Sequence, residues 1–119
     1  MRKRDLAERT FAFATQIVTL CRSLDRREAA GRVLVSQLLR SGTSVGANVE
    51  EAQASQSRAD FLSKSSIARK EARETHYRLR LMSATSIVPE AEARGLLDEC
   101  NQLIAILTTI VKKLRSTPK

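Results

Sequence analysis

Four glutamates, Glu50, Glu51, Glu71 and Glu74, are the side chains of this sequence best suited to hold a metal ion, and His76 follows the last of them. Metal centres in helical bundles combine a Glu from each of two helices with a Glu-x-x-His motif from each of two others. The single histidine of this chain comes two residues after Glu74 instead of three, so that motif is not formed. We therefore predict no metal site and no cofactor.

Nucleophilic and nucleotide-dependent catalysis are not indicated either. The sequence has no glycine-rich phosphate loop and no Gly-x-Ser-x-Gly turn, and neither Cys21 nor Cys100 has a histidine partner nearby. The cysteines also lack Cys-x-x-Cys spacing, and no signal-sequence pattern precedes them, which favours buried, reduced thiols in a cytoplasmic protein. We predict that the protein is not an enzyme.

Basic side chains, by contrast, are numerous and partly ordered along the sequence. Lys and Arg total 21 against 13 Asp and Glu, a formal net charge of +8 that favours an anionic partner. One histidine and three arginines recur at i, i+4, i+7 and i+11, which places them along one side of a helix. This stripe consists of Arg69, Arg73, His76 and Arg80. Guanidinium groups bind phosphate oxygens in a bidentate manner, so the stripe is suited to a nucleic-acid backbone.

The candidate nucleic-acid contacts are Arg26, Arg27, Arg32, Arg40, Arg69, Arg73 and Arg80. With three Phe, one Tyr and no Trp, the chain has few aromatic groups on which bases could stack, so binding should follow the backbone and not the sequence of the nucleic acid. Two alternatives stay open. The basic residues can be a solvated surface that only keeps the protein soluble, or the protein can be a protein-interaction scaffold without direct nucleic-acid binding.

Hydrophobic periodicity predicts that four helices position these groups. The predicted spans are about 5–24, 27–54, 58–86 and 89–115. Each begins at a start signal: acid-x-x-acid pairs at Asp5 and Asp25, a Ser57-x-x-Asp60 cap, and Pro89.

The simplest arrangement of these helices is an antiparallel up-down-up-down four-helix bundle, in one domain that covers residues 1–119. No strand pattern competes with it. The longest apolar stretch, 103–111, is about half the length of a membrane span, so we predict no contact with a membrane.

Gly42 and Gly46 lie four residues apart within the second predicted helix. A glycine in a helix interior costs up to about 1 kcal/mol relative to alanine, so the pair indicates the close approach of another helix. The third helix has small residues, including Ala68 and Ala72, at the centre of its apolar row. We therefore predict that the second and third helices touch at their midpoints, with the glycines opposite these alanines.

The first and fourth helices carry more apolar residues than a bundle interior needs. In the first helix, a row that contains Phe11 and Val18 runs beside a second row that contains Phe13. This surplus predicts self-association. The alternative is that Phe13, Ile106 and Val111 are ordinary, partly exposed hydrophobic residues.

Two sequence blocks resemble a known family. The first comprises Arg40-Ser41, Ser44-Val45, Ala47-Asn48-Val49 and Glu51, and the second runs from Asp60-Phe61-Leu62 through Lys70-Glu71-Ala72 and Glu74-Thr75 to Leu79-Arg80-Leu81. Together they resemble the 23S rRNA intervening-sequence protein family of four-helix bundles.

The resemblance implies a homo-oligomer, namely a pentameric barrel like that of the similar accessory protein of diversity-generating retroelements. Five copies would carry a formal charge of +40 (5 × 8). The resemblance also favours structured RNA over DNA as the partner, and leaves a protein partner open. Because the motif residues lie beside the apolar rows, we expect them to pack closely or to form buried or interfacial hydrogen bonds. These residues are Gly42, Gly46, Asn48, Glu51, Glu71 and Glu74.

Overall fold

The computed structural model describes the backbone of residues 3–116 and the side chains of residues 6–116. Within this range the chain forms four α-helices and no strand. The helices are α1 (Lys3–Ser23), α2 (Ala29–Gln53), α3 (Arg58–Ala84) and α4 (Glu90–Ser116). The predicted all-helical bundle of four helices is confirmed, with each boundary within two residues of its predicted place.

The start signals predicted the helix ends with mixed success. The Ser57 hydroxyl accepts a hydrogen bond from the Asp60 amide at 3.0 Å, as a cap should. The Asp5 cap is wrong, because α1 already includes Lys3. The Asp25 cap is also wrong: α2 begins after Glu28 without a side-chain cap, and the Asp25 carboxylate instead accepts hydrogen bonds from the amide and guanidinium of Arg27.

The core is built from the apolar row of each helix. Its largest fully buried side chains include Phe13, Ile17, Leu38, Leu79, Met82, Leu103 and Leu107. The α1 row that contains Phe13 belongs to this core, whereas Phe11 and Val18 of the neighbouring row lie outside it, at 67% and 36% exposed. In α4, however, Val111 is fully buried, so part of the predicted surplus of that helix is used within the bundle.

The two glycines of α2 approach α1 and not α3. A Cβ atom added to Gly42 would lie 2.8 Å from the Ile17 side chain, and one added to Gly46 would lie 3.2 Å from the Thr10 carbonyl oxygen. The predicted partner of the glycines is therefore wrong. The physical reason is the rotation of about 100° per residue along a helix, which turns Gly42 toward α1 while the preceding residue, Ser41, faces α3.

The centres of α2 and α3 nevertheless meet. The hydroxyl oxygens of Ser41 and Thr75 are hydrogen-bonded at 2.9 Å, and both residues are completely buried. On the other side of α3, the Cys100 thiol of α4 donates to the Ala72 carbonyl at 3.2 Å. The small residues of α3 thus allow close contacts with both neighbouring helices. Thr75 contacts the Ser41 hydroxyl of α2, and Ala72 contacts the Cys100 thiol of α4.

Both cysteines are buried and free, as the sequence predicted. Burial, and to a smaller extent the charge of Glu99, raises the pKa of Cys100 to about 12. Burial also raises the pKa of Cys21 above its ordinary value. Both thiols are therefore protonated at neutral pH and act as small core residues.

A charged clamp joins α1 to α4. The Arg9 guanidinium donates to both carboxylate oxygens of Glu99, at 2.6 and 3.0 Å, and to the side-chain oxygen of Gln102 at 3.0 Å. The hydrogen bond to Glu99 raises the pKa of Arg9. Beside this clamp the two helices leave a groove that includes Gly95, at which an added Cβ would meet nothing within 4 Å.

Candidate nucleic-acid interface

The basic stripe of α3 lies directly beside the buried row of the same helix. Each stripe residue follows a buried residue, as Arg69 follows Ala68 and Arg80 follows Leu79, so the core row determines where the stripe points. Arg73 and Arg80 are exposed, whereas Arg69 and His76 are half-buried. At a rise of about 1.5 Å per residue, the eleven steps from Arg69 to Arg80 span about 16 Å.

No carboxylate among the described residues forms an ion pair with Arg69, Arg73 or Arg80. Their guanidinium groups remain available for an anion outside the protomer. His76 differs from them, because its partial burial and the neighbouring charge of Arg80 lower its pKa. At neutral pH the stripe thus presents three positive charges and one neutral imidazole, and acid adds a fourth charge.

Arg40 has a different environment from the other candidate contacts. Its guanidinium nitrogens lie 3.4 Å from the Glu71 carboxylate and 3.5 Å from the Glu74 carboxylate, and Arg78 lies 3.4 Å from Glu74. This cluster connects α2 to α3. Because Glu71 is nearly buried, its carboxylate needs this partner, and Arg40 can offer a ligand only the exposed part of its side chain.

The remaining candidates surround the connection between α1 and α2. Arg27 forms an exposed ion pair with Asp25 at 2.7 Å, and this hydrogen bond lowers the pKa of Asp25 and raises that of Arg27. Arg32 donates to the carbonyl oxygens of Arg26 and Arg27, at 3.3 Å each, and so holds the connection to the first turn of α2. No described contact joins this group to the stripe of α3.

The motif residues fall into two groups. Asn48 is half-buried and donates to the Ser44 carbonyl of its own helix at 2.9 Å, while Glu71 and Glu74 accept hydrogen bonds from arginines. Glu51 is exposed, so it contributes no buried contact within the protomer. An interfacial role for Glu51 stays a prediction.

Sequence reasoning did not identify the environment of Tyr77. This tyrosine is 60% exposed and lines a groove of about 340 Å³ between α2 and α3, together with Leu34, Gln37, Arg73 and Leu81. The signal for this environment in the sequence was that Tyr77 directly follows His76 of the stripe. An exposed aromatic ring beside an arginine can stack on a base or pack against a protein.

The acidic residues do not gather into a metal site in the part of the chain that the structure describes. Residues 6–116 contain no group of three or more His, Cys, Asp or Glu side chains placed to hold a metal ion. Glu71 and Glu74 face arginines instead. Across the same part of the chain, no helix combines the length and the apolar character that a membrane crossing requires.

These observations define a small basic four-helix-bundle protein in which the buried Glu71 is paired with Arg40, and in which three arginines along one side of α3 have no carboxylate partner among the described residues. Residues 2–109 match the model of the 23S rRNA-intervening sequence protein family, and the chain belongs to that family. The resemblance found in the sequence is confirmed.

A solved structure supports this assignment. It is the crystal structure of a protein of unknown function from the S23 ribosomal protein family of Bacteroides thetaiotaomicron VPI-5482, and it is 35% identical to this chain, with a TM-score of 0.83. The match covers 94% of this chain and 99% of the other. A comparison with curated proteins finds no match.

Proposed function

We propose that the protein is a non-enzymatic accessory factor that binds structured RNA through the arginine stripe of α3. The observation that carries this proposal is that Arg69, Arg73 and Arg80 share one helix side and have no carboxylate partner among the described residues. Arg26, Arg27 and Arg32 form a second basic group at the α1–α2 connection. RNA is favoured over DNA because the family is named for an intervening sequence of 23S rRNA.

Binding of this type depends on counterion release. If the three stripe arginines each neutralise one phosphate, the logarithm of the binding constant should fall with the logarithm of salt concentration with a slope of about −2 to −3. Contacts to the second basic group would make the slope steeper. The sequence of the RNA should matter little, because the stripe has the geometry for phosphates and no set of groups directed at base edges.

We further propose that the helices run antiparallel, up-down-up-down, and that the protomers form a homo-oligomer, as a pentamer. Contacts in reverse sequence order support the first point: Ser41 pairs with Thr75, Ala72 with Cys100, and Arg58 with the Leu114 carbonyl. The second point is supported by Phe11 and Val18 of α1, which are apolar and exposed in the protomer. An oligomer would repeat the basic stripe around its surface, which would raise the affinity for a long polyanion.

The test is a filter-binding titration with a structured RNA and a duplex DNA of equal length, at two salt concentrations. The variant Arg73→Glu with Arg80→Glu should weaken RNA binding by tenfold or more, because both residues are exposed and face the proposed ligand. The control, Arg94→Glu with Lys112→Glu, changes net charge equally at exposed positions of α4. Equal weakening by both pairs would mean that total charge, and not the stripe, accounts for binding.

A second candidate function is a protein-interaction scaffold. The groove that holds Tyr77 supports it, since an exposed tyrosine flanked by arginine and leucine side chains is typical of protein interfaces. Absence of RNA binding at low salt, by a protein that still self-associates, would favour the scaffold over the RNA-binding proposal.

A further inference from the structure

An apolar cavity lies at one end of the bundle, away from the arginine stripe. The first turns of α1 and α3 and the last turns of α2 and α4 surround a cavity of about 230 Å³. Its inner wall consists of buried side chains, among them Leu6, Val49 and Leu107, and its outer wall consists of half-buried ones, among them Phe61 and Ile106. All four helices therefore contribute to a space that is almost entirely apolar.

Three polar side chains interrupt this apolar lining: Gln53 is half-buried, Lys113 is exposed at the rim, and Ser65 lies deep inside. Ser65 of α3 is only 3% exposed and lines the cavity. Its hydroxyl has no hydrogen-bond partner among the described residues. Among these residues every fully buried side-chain polar atom has a partner, so the unpartnered Ser65 oxygen keeps some accessible surface, and Ser65 lines the cavity. A hydroxyl in this position can donate to a ligand or accept from it.

The size of the cavity limits what it can hold. An apolar cavity of about 150 Å³ in another protein holds benzene, which has six heavy atoms. Scaled by volume, a space of about 230 Å³ suits about nine heavy atoms, the size of a two-ring molecule. The part of the ligand inside the cavity should be neutral, because the apolar walls cannot replace the hydration of a charge and the lysine of the lining, Lys113, is exposed at the rim.

We propose that this cavity binds a small neutral two-ring aromatic molecule with one hydrogen-bonding group, which pairs with the Ser65 hydroxyl. The rings would contact the aliphatic walls, and the polar group would satisfy the serine. The site is separate from the arginine stripe and does not depend on the proposed RNA binding. In the absence of such a ligand, the Ser65 hydroxyl faces an apolar space that can satisfy it only with water.

Indole is a suitable probe, because it has nine heavy atoms and one N–H group. The chain contains no tryptophan, so the emission of added indole can be followed directly. We expect a blue shift of the indole emission on titration with the protein, with a dissociation constant below about 1 mM. Indene, which has the same shape without the N–H group, should displace indole but bind more weakly.

Three variants locate the site. Ser65→Ala should weaken indole binding about fivefold, the equivalent of one neutral hydrogen bond, and leave indene binding unchanged. Ile106→Phe narrows the cavity at a half-buried wall and should weaken both ligands. Ile67→Phe makes the same chemical change at an exposed position of α3 outside the cavity and should affect neither. Circular dichroism verifies that each variant is folded.

Each result decides the proposal. An unshifted emission at millimolar indole would overturn it, and so would full indole binding by Ile106→Phe. Equal loss of indole and indene in Ser65→Ala would overturn the role of the hydroxyl. Changes in the NMR methyl signals of Val49 and Leu107, but not of Val33 on the outside of α2, would place the bound indole in the cavity.

Discussion

The same substitution, glycine to alanine, should have opposite effects at two positions of this bundle. At Gly42 an added Cβ would lie 2.8 Å from Ile17 Cγ2 and 3.3 Å from its Cβ, and Ile17 is completely buried. A β-branched side chain in a closed core cannot move aside freely. At Gly95 the added Cβ would meet no atom within 4 Å.

The magnitudes follow from two opposing effects. Alanine is favoured over glycine in a helix interior by up to about 1 kcal/mol, and this gain applies at both positions. Overpacking of a core costs about 1–3 kcal/mol, and this cost applies only at Gly42. Gly42→Ala should therefore lower the free energy of unfolding by up to about 2 kcal/mol, whereas Gly95→Ala should raise it by about 0.5–1 kcal/mol.

Urea unfolding followed by circular dichroism measures both changes. The double variant Ile17→Ala with Gly42→Ala provides an internal check, because removal of the Ile17 methyl groups makes room for the new Cβ. It should be more stable than the sum of the two single changes implies. A Gly42→Ala protein as stable as Gly95→Ala, or strictly additive effects in the double variant, would refute the close packing of α2 on α1.

Three other measurements test the electrostatics of the fold. Burial and the charge of Arg80 lower the pKa of His76 in the folded state, so its contribution to stability is present above about pH 6.5 and is lost as pH falls through the folded-state pKa. His76→Gln should therefore reduce the loss of stability in acid unfolding curves, and an unchanged curve would contradict this. Arg9→Gln should lower the free energy of unfolding by about 1 kcal/mol. A double-mutant cycle with Glu99→Gln should give a coupling energy of similar size, and zero coupling would mean that the clamp is not formed. Cys100 should not react with a thiol reagent at pH 8 until the protein unfolds, because its pKa is about 12, and rapid modification of the native protein would show otherwise.

The number and extent of the helices could be predicted because both depend on local patterns. Apolar residues at helical spacing fall on buried rows in α3 and α4. The predicted ends of the helices match the structure within two residues. The arginine stripe could be predicted for the same reason, since its residues directly follow core residues of one helix. The cap at Asp25 could not, because the choice of this carboxylate between the helix start and Arg27 depends on the path of the connection.

Contacts between helices were decided by the tertiary structure. The sequence indicated that something approaches Gly42 and Gly46 closely, but only the rotation of α2 about its axis determines that the neighbour is α1. The partners of Arg9 and Arg40 also depend on which helices lie side by side. The sequence offers several acids as candidates for each arginine, and the packed helices bring only one or two of them within reach.

The apolar cavity likewise could be predicted only in part from the sequence. Most residues of its wall were recognisable as apolar from the sequence. Periodicity, however, predicts which side of a helix is buried and not how well four such sides fill the space between them. The sequence by itself determined four helices, their apolar rows and a basic stripe on the third. How completely the helices fill the core, which side chains pair and where backbones come close all depend on the distances between helices, which only the packed structure provides.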